Sequence, residues 1–282
     1  MIIDFHTHIF PPRIKKNRTK YIDSDSCFAI LYSKPDTRLA TADELIAGMD
    51  KDGVGTSVIL NIGWTTHELC VETNDYILES IARYPERLIG FCTVQPQSLE
   101  AALDEIERCA KGGIRGVGEM RPDMQLLDFR DEAVMKPFTE VMTRHNLVLL
   151  THATEPVGHQ YPGKGEVTLD MLYPLITSYP DLTIVCAHWG GGLPFYALMP
   201  EVKKAMNNVF FDTAASPFLY TSQVYNQVIQ LVGADKVLFG SDYPLLGQGR
   251  LLKEIESLDL PEETARLILS GNAQRVLGIK AD

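Results

Sequence analysis

Eight short apolar or β-branched runs recur along the chain, each followed by a longer segment with helical spacing of its apolar residues. The runs are Ile2–His8, Ser57–Ile62, Leu88–Val94, Ile114–Glu119, Leu147–His152, Leu182–His188, Val209–Thr213 and Lys236–Asp242. After the first gap they lie roughly 25–35 residues apart, the size of one βα unit. Stretches such as Leu147-Val148-Leu149-Leu150 are apolar at every position, as parallel strands covered on both faces require. Eight strands alternating with helices predict an α/β fold, a (β/α)8 TIM barrel, formed as a single domain over residues 1–282. A doubly wound open sheet is the competing architecture, and it is weaker because no Gly-rich phosphate loop follows the first run.

The intervening segments carry helix signals. Thr41-Ala42-Asp43-Glu44 reads as a capping box ahead of Leu45 and Ile46. Ser98 is expected to cap a helix over Leu99–Ala110, with Gly112 as its terminating glycine. Asp131–His145, Thr168–Tyr179 and Glu263–Val276 show similar spacing, the last as a C-terminal helix. Two segments depart from a minimal barrel. Pro11 to about Ala40 forms a long polar insertion between the first strand and its helix. Ala153–Val167, after the fifth strand, is expected to cover the same end of the barrel.

The formal net charge of −11 argues against nucleic-acid binding and against attachment to anionic membranes. It leaves an anionic small-molecule substrate open, because a bound metal can invert the sign of a pocket. The five cysteines include no CxxC pair, so neither a disulfide framework nor a thiolate zinc knuckle is expected. No secretory leader pattern and no apolar run of membrane-spanning length are present, which predicts a cytoplasmic protein.

His6 and His8 are spaced i, i+2 on the first strand, so both side chains face one way and can share one metal ion. Active sites of such barrels lie at the C-terminal ends of the strands. The polar residues at those ends are His6, His8, Glu119, His152, His188 and Asp242. The chain has seven histidines, and four of them fall in this set, more than scatter would place there. Each has a plainer reading. His6 and His8 could be hydrogen-bonded strand histidines, His188 a core histidine beside Trp189, and Asp242 a helix cap before Tyr243-Pro244. The permissive Gly190-Gly191-Gly192 turn after His188 favours a role in the cavity.

Asp4–His8, Thr151-His152-Ala153, Ala187-His188-Trp189-Gly190-Gly191 and Phe239-Gly240-Ser241-Asp242-Tyr243-Pro244 together resemble the amidohydrolase superfamily. The resemblance is to its amidohydrolase-related (amidohydrolase 2) branch, which includes aminocarboxymuconate-semialdehyde decarboxylase. Gly271-Asn272-Ala273-Gln274-Arg275-Val276-Leu277-Gly278 matches the closing helix common in that branch. The resemblance implies a divalent metal on His6, His8 and His152, with Asp242 as a further ligand or as the base on metal-bound water. It implies that His188 orients or polarises substrate, and it suggests a homodimer. Zinc is the first expectation; imidazole and carboxylate ligands also suit Mn2+ or Fe2+.

Glu119 departs from the branch, in which the end of strand 4 is usually not a ligand. It reads either as a metal ligand or as a carboxylate that holds a histidine ring or pairs with Arg121. Arg121 could clamp a substrate carboxylate in a bidentate contact, and His159, Tyr161, Lys164 and Trp64 could contact substrate. These residues lead first to a metal-dependent hydrolase of a small carboxylate-bearing amide, lactone or related substrate, acting through metal-activated water. The alternative is a metal-dependent non-oxidative decarboxylase of an aromatic or unsaturated acid. A metal-binding barrel without catalysis is the third reading.

Overall fold

The computed structural model describes residues 1–279. Eight parallel strands follow one another in chain order: β1 Ile3–His8, β2 Thr56–Leu60, β3 Leu88–Cys92, β4 Gly116–Met120, β5 Val148–Thr151, β6 Ile184–Cys186, β7 Val209–Asp212 and β8 Val237–Leu238. The barrel closes through the segment after β8. Phe5 N donates to the Phe239 carbonyl at 2.7 Å, Asp242 N donates to the His6 carbonyl at 2.9 Å, and Thr7 bridges Tyr243. The expected (β/α)8 barrel is therefore the observed fold.

Ile3, Phe5, Val58, Phe91, Leu150, Val185 and Phe210 form a buried cluster inside the barrel. Phe5 meets Phe91 edge to face, with ring centroids 5.8 Å apart. Ala273 and Leu277 of the last helix, Asn272–Leu277, join this cluster beside Ile3 and cover the end of the barrel opposite the site. Fully burying a side chain of this size contributes about 1.5–3 kcal/mol.

The helix Ala42–Asp52 carries the expected capping box, with Thr41 and Glu44 each bonded to the other's backbone N–H. Ser98 does not cap its helix. It ends a 3-10 turn, Pro96–Ser98, and Leu99, at φ 45°, precedes the helix Glu100–Lys111 without a side-chain cap. Gly112 stays right-handed, and Gly113, at φ 99°, makes the left-handed turn instead. The insertion after β1 is more ordered than its polarity implies. It folds into three short helices, Pro12–Lys16, Arg18–Ser24 and Ser26–Tyr32. Phe28 and Tyr32, one turn apart on the third helix, and Tyr21 of the second build a small aromatic core with Phe10 and Trp64. All five cysteines are buried and free. Among the described residues, no helix is long and apolar enough to cross a membrane.

Candidate active site

Two irregularities in the sheet aim the site. On β1, Ile3 and Phe5 face the barrel interior, while Asp4 faces the helix layer and meets Gln248 and Ser241. Strict alternation would send His6 and His8 outward with Asp4. Between Asp4 and Thr7, however, the register against β2 shifts, and β1 holds one more residue than its partner. Past this bulge, both histidines turn into the barrel mouth. A second shift lies on β4 between Val117 and Met120, around Gly118-Glu119, and it brings Glu119 to the same place. A Cβ at Gly118 would lie 2.5 Å from the Leu150 carbonyl oxygen, so this bulge requires glycine.

The side chains then converge. His6 Nε2 and His8 Nε2 are 3.0 Å apart. Asp242 Oδ1 lies 3.8 Å from the first and 3.3 Å from the second. Glu119 Oε2 lies 3.9 Å and 3.7 Å from the same two nitrogens. The other oxygen of Glu119 stands 2.8 Å from His152 Nδ1 and 3.4 Å from His188 Nε2. Glu119 thus sits between two sets of donors, His6 with His8 on one side and His152 with His188 on the other. His152 meets the β1 pair across Glu119 rather than directly.

These residues fit a divalent metal ion. His6 Nδ1 donates to Asp212 Oδ2 at 2.8 Å, so it is Nε2 that, once deprotonated, offers a lone pair on the side of His8. Two nitrogens each about 2.1 Å from one ion and at a right angle to each other stand about 3 Å apart. His188 Nδ1 donates to the Ala214 carbonyl at 3.1 Å, which leaves its Nε2 facing Glu119. His8 Nδ1 is buried without a partner. Imidazole and carboxylate donors crowd here at short range, which is the chemistry of a divalent-metal site.

The electrostatics follow from this crowding. Burial opposes charge on His6, but Asp212 outweighs it and raises His6 to about 9. Burial likewise opposes charge on His188, and Glu119 and Asp242 raise it to about 10. Asp242 is lowered to about 2 against the effect of burial, by His8, His6 and His188. Glu119 is held well below the usual carboxylate range, again against burial, chiefly by His152. His152 is lowered, first by burial and then by the Arg121 charge.

A cavity of about 390 Å³ opens above these groups. Its walls include Leu31, Tyr32, Ile62, Phe218 and Leu245, with Lys34 and Arg38 from the insertion and His159, Tyr161 and Gly163 from the loop after β5. Arg121 lines it, but Nε and Nη2 of its guanidinium are committed to Asp123 at 3.3 and 3.1 Å. The bidentate edge expected to grip substrate therefore already holds a carboxylate. Lys164 is buried, and its ammonium donates to the carbonyls of Val157 and His159, so it organises the loop instead of lining this cavity. Trp64 is fully buried, stacked on Phe28 at 5.3 Å, and lies outside the cavity. His159 and Tyr161 do line it, and the Tyr161 hydroxyl donates to Glu155 at 3.1 Å.

Sequence reasoning missed Asp212. It ends β7, as Glu119 falls at the end of its run, and the same search for polar residues at strand ends would have found it. It also missed the brace beneath Asp242. Ser241 N and Oγ donate to the two oxygens of Asp4 at 2.9 and 2.5 Å, and Gln248 Nε2 donates at 2.7 Å. Asp242 itself sits at φ 65°, a conformation this brace helps to hold.

The sequence matches the amidohydrolase family over residues 3–279. It is 24% identical over 332 aligned positions to 2-amino-3-carboxymuconate-6-semialdehyde decarboxylase of Dictyostelium discoideum, covering 98% of this chain and 91% of that protein. It is 26% identical to 6-methylsalicylic acid decarboxylase of Penicillium expansum, covering 96% and 94%. The fold is similar to that of 5-carboxyvanillate decarboxylase from Novosphingobium aromaticivorans, a structure complexed with manganese and 4-hydroxy-3-methoxy-5-nitrobenzoic acid. That likeness has a TM-score of 0.80 at 19% identity and covers 99% of this chain and 96% of the other. These relatives correct the first functional expectation. They are named as carboxyl-removing enzymes, and the hydrolase reading gives way to its alternative. The hydrolase reading leaned on Glu119 as a sign of bond-hydrolysing chemistry, and a carboxylate at that strand end does not choose between the reactions.

Proposed function

Because the chain belongs to the amidohydrolase family, and its curated relatives over nearly the full length are named as decarboxylases, we propose that it is a metal-dependent, non-oxidative decarboxylase. The substrate class is an aromatic or unsaturated carboxylic acid. The observation that carries this reading within the molecule is the cavity. Apolar walls suited to a flat unsaturated skeleton descend onto His8, Glu119, His188 and Asp242, and cationic Lys34 and Arg38 flank the mouth. The net charge of −11 makes those local cations more telling, since they favour an anion where the whole chain does not.

His6, His8 and Asp242, with Glu119 and His152 beside them, would hold a divalent ion, which would supply positive charge to bind the acid and to stabilise the charge that develops as its C–C bond breaks. Carboxylate oxygens in this set suit manganese as well as zinc. The reaction exchanges carbon dioxide for one proton at the vacated carbon. His188 is placed to carry that proton, because its Nδ1 is tied to Ala214 and its Nε2 faces the cavity floor. Asp242 holds its carboxylate 3.3 Å from His8 Nε2, on the same cavity floor as His188.

The test is carbon dioxide release by the metal-loaded protein from a panel of hydroxybenzoates and unsaturated dicarboxylates, run in deuterium oxide. The expected result is loss of carbon dioxide with one deuteron at the vacated carbon. Conversion of these acids with all their carbon retained would overturn the reading.

A further inference from the structure

The insertion after β1 was singled out by its length, and nothing in the metal chemistry uses it. Its last helix, Ser26–Tyr32, ends on a tyrosine that lines the cavity together with His8 and Asp242. The ring is fixed in place. Phe10 meets it edge-on at 5.1 Å and Phe28 lies against it at 4.9 Å. The residue is 7% exposed. Unlike the Tyr21 hydroxyl, which donates to Glu72 at 2.6 Å, the Tyr32 hydroxyl makes no hydrogen bond to any described residue. It is also absent from the buried polar atoms sealed without a partner, so it opens on the cavity.

An ordered phenol with a free O–H, set beside the metal-site carboxylate Asp242, is built to donate to something that enters later. Asp242 is already engaged by His8, and Arg121 is engaged by Asp123. The wall that the insertion presents therefore offers a neutral donor and no competing internal acceptor. We propose that Tyr32 is a substrate-contacting residue whose hydroxyl donates a hydrogen bond to an oxygen of the bound carboxylic acid, so that the insertion contributes to substrate selection. This rests on the acid-binding reading above.

The experiment is calorimetric titration of the metal-loaded protein with 2-hydroxybenzoate and benzoate as probes, for wild type, Tyr32→Phe and Tyr21→Phe. Tyr32→Phe removes only an oxygen without a protein partner, so its melting temperature should match wild type while probe affinity falls about tenfold. Tyr21→Phe, in the same aromatic cluster but off the cavity, should leave probe affinity unchanged. Equal binding by Tyr32→Phe and wild type would overturn the contact and leave the acid-binding reading intact. Equal weakening by both variants would also overturn it, since packing would then be the cause. Failure of the wild type to bind either probe would overturn the acid-binding reading for aromatic acids and this contact with it.

Discussion

Glu119 holds His152 at 2.8 Å with one oxygen and reaches the β1 histidines with the other. One carboxylate thus joins the ligand candidates of β1 to those of β5 and β6. Replacing Glu119 with glutamine keeps the shape and removes the charge. Metal affinity, read by titration calorimetry or by metal content after dialysis, is expected to fall at least about tenfold. Undiminished affinity would restrict Glu119 to orienting His152 and His188.

Asp212 stands one step behind the ligand candidates. It fixes the His6 ring through Nδ1 and also accepts from the backbone N–H of His188 at 2.9 Å. Asp212→Asn replaces an anionic acceptor and disturbs the His6 tautomer, so metal affinity is expected to drop by about 10–100-fold. A variant with unchanged affinity would show that the His6 orientation is set by packing alone.

The brace under Asp242 carries a stability prediction. Ser241→Ala removes one donor to the fully buried Asp4 carboxylate. The expected loss is about 1–3 kcal/mol in denaturant unfolding. A loss well under that range would mean that Gln248 and the Ser241 backbone satisfy Asp4 without the hydroxyl.

Metal binding should also report on protons. In the metal-free protein, His6 is raised to about 9, so it is protonated at neutral pH and must lose that proton to bind an ion. Apparent metal affinity is therefore expected to rise with pH toward about 9. The sign for the metal-free fold is opposite. A histidine raised above its usual 6.5 contributes stability that is fully present below that value and is lost as pH climbs through about 9. Metal titrations and thermal unfolding of the metal-free protein from pH 6 to pH 9.5, roughly the span set by these values, should move in opposite directions. Parallel trends would count against the His6–Asp212 pairing as the cause.

The barrel was legible because each strand is buried on both faces and so reads as an apolar run. The polar residues closing those runs were legible for the same reason: His152 follows Leu149-Leu150-Thr151, and nothing in a dry strand explains it. Three things were not. The insertion reads as polar because its helices show solvent most of their surface, and Tyr32 is visible only once Phe10 and Phe28 are seen to fix it. Arg121 and Lys164 carry charges that could serve a ligand, and only coordinates show that Asp123 and two loop carbonyls already take them. The bulges on β1 and β4 have no composition signal beyond Gly118, because an extra strand residue looks like any other.

Those bulges make strand register, as much as residue identity, the sensitive variable at this site. The same β1 segment paired at its full length without the bulge would follow strict alternation and carry His6 and His8 to the helix side with Asp4, with every candidate ligand still present in the sequence. Loss of the bulge here or at Gly118-Glu119 is thus the change that would separate an active barrel from an inert one built of the same residues. An alignment of sequences would still show the motif intact.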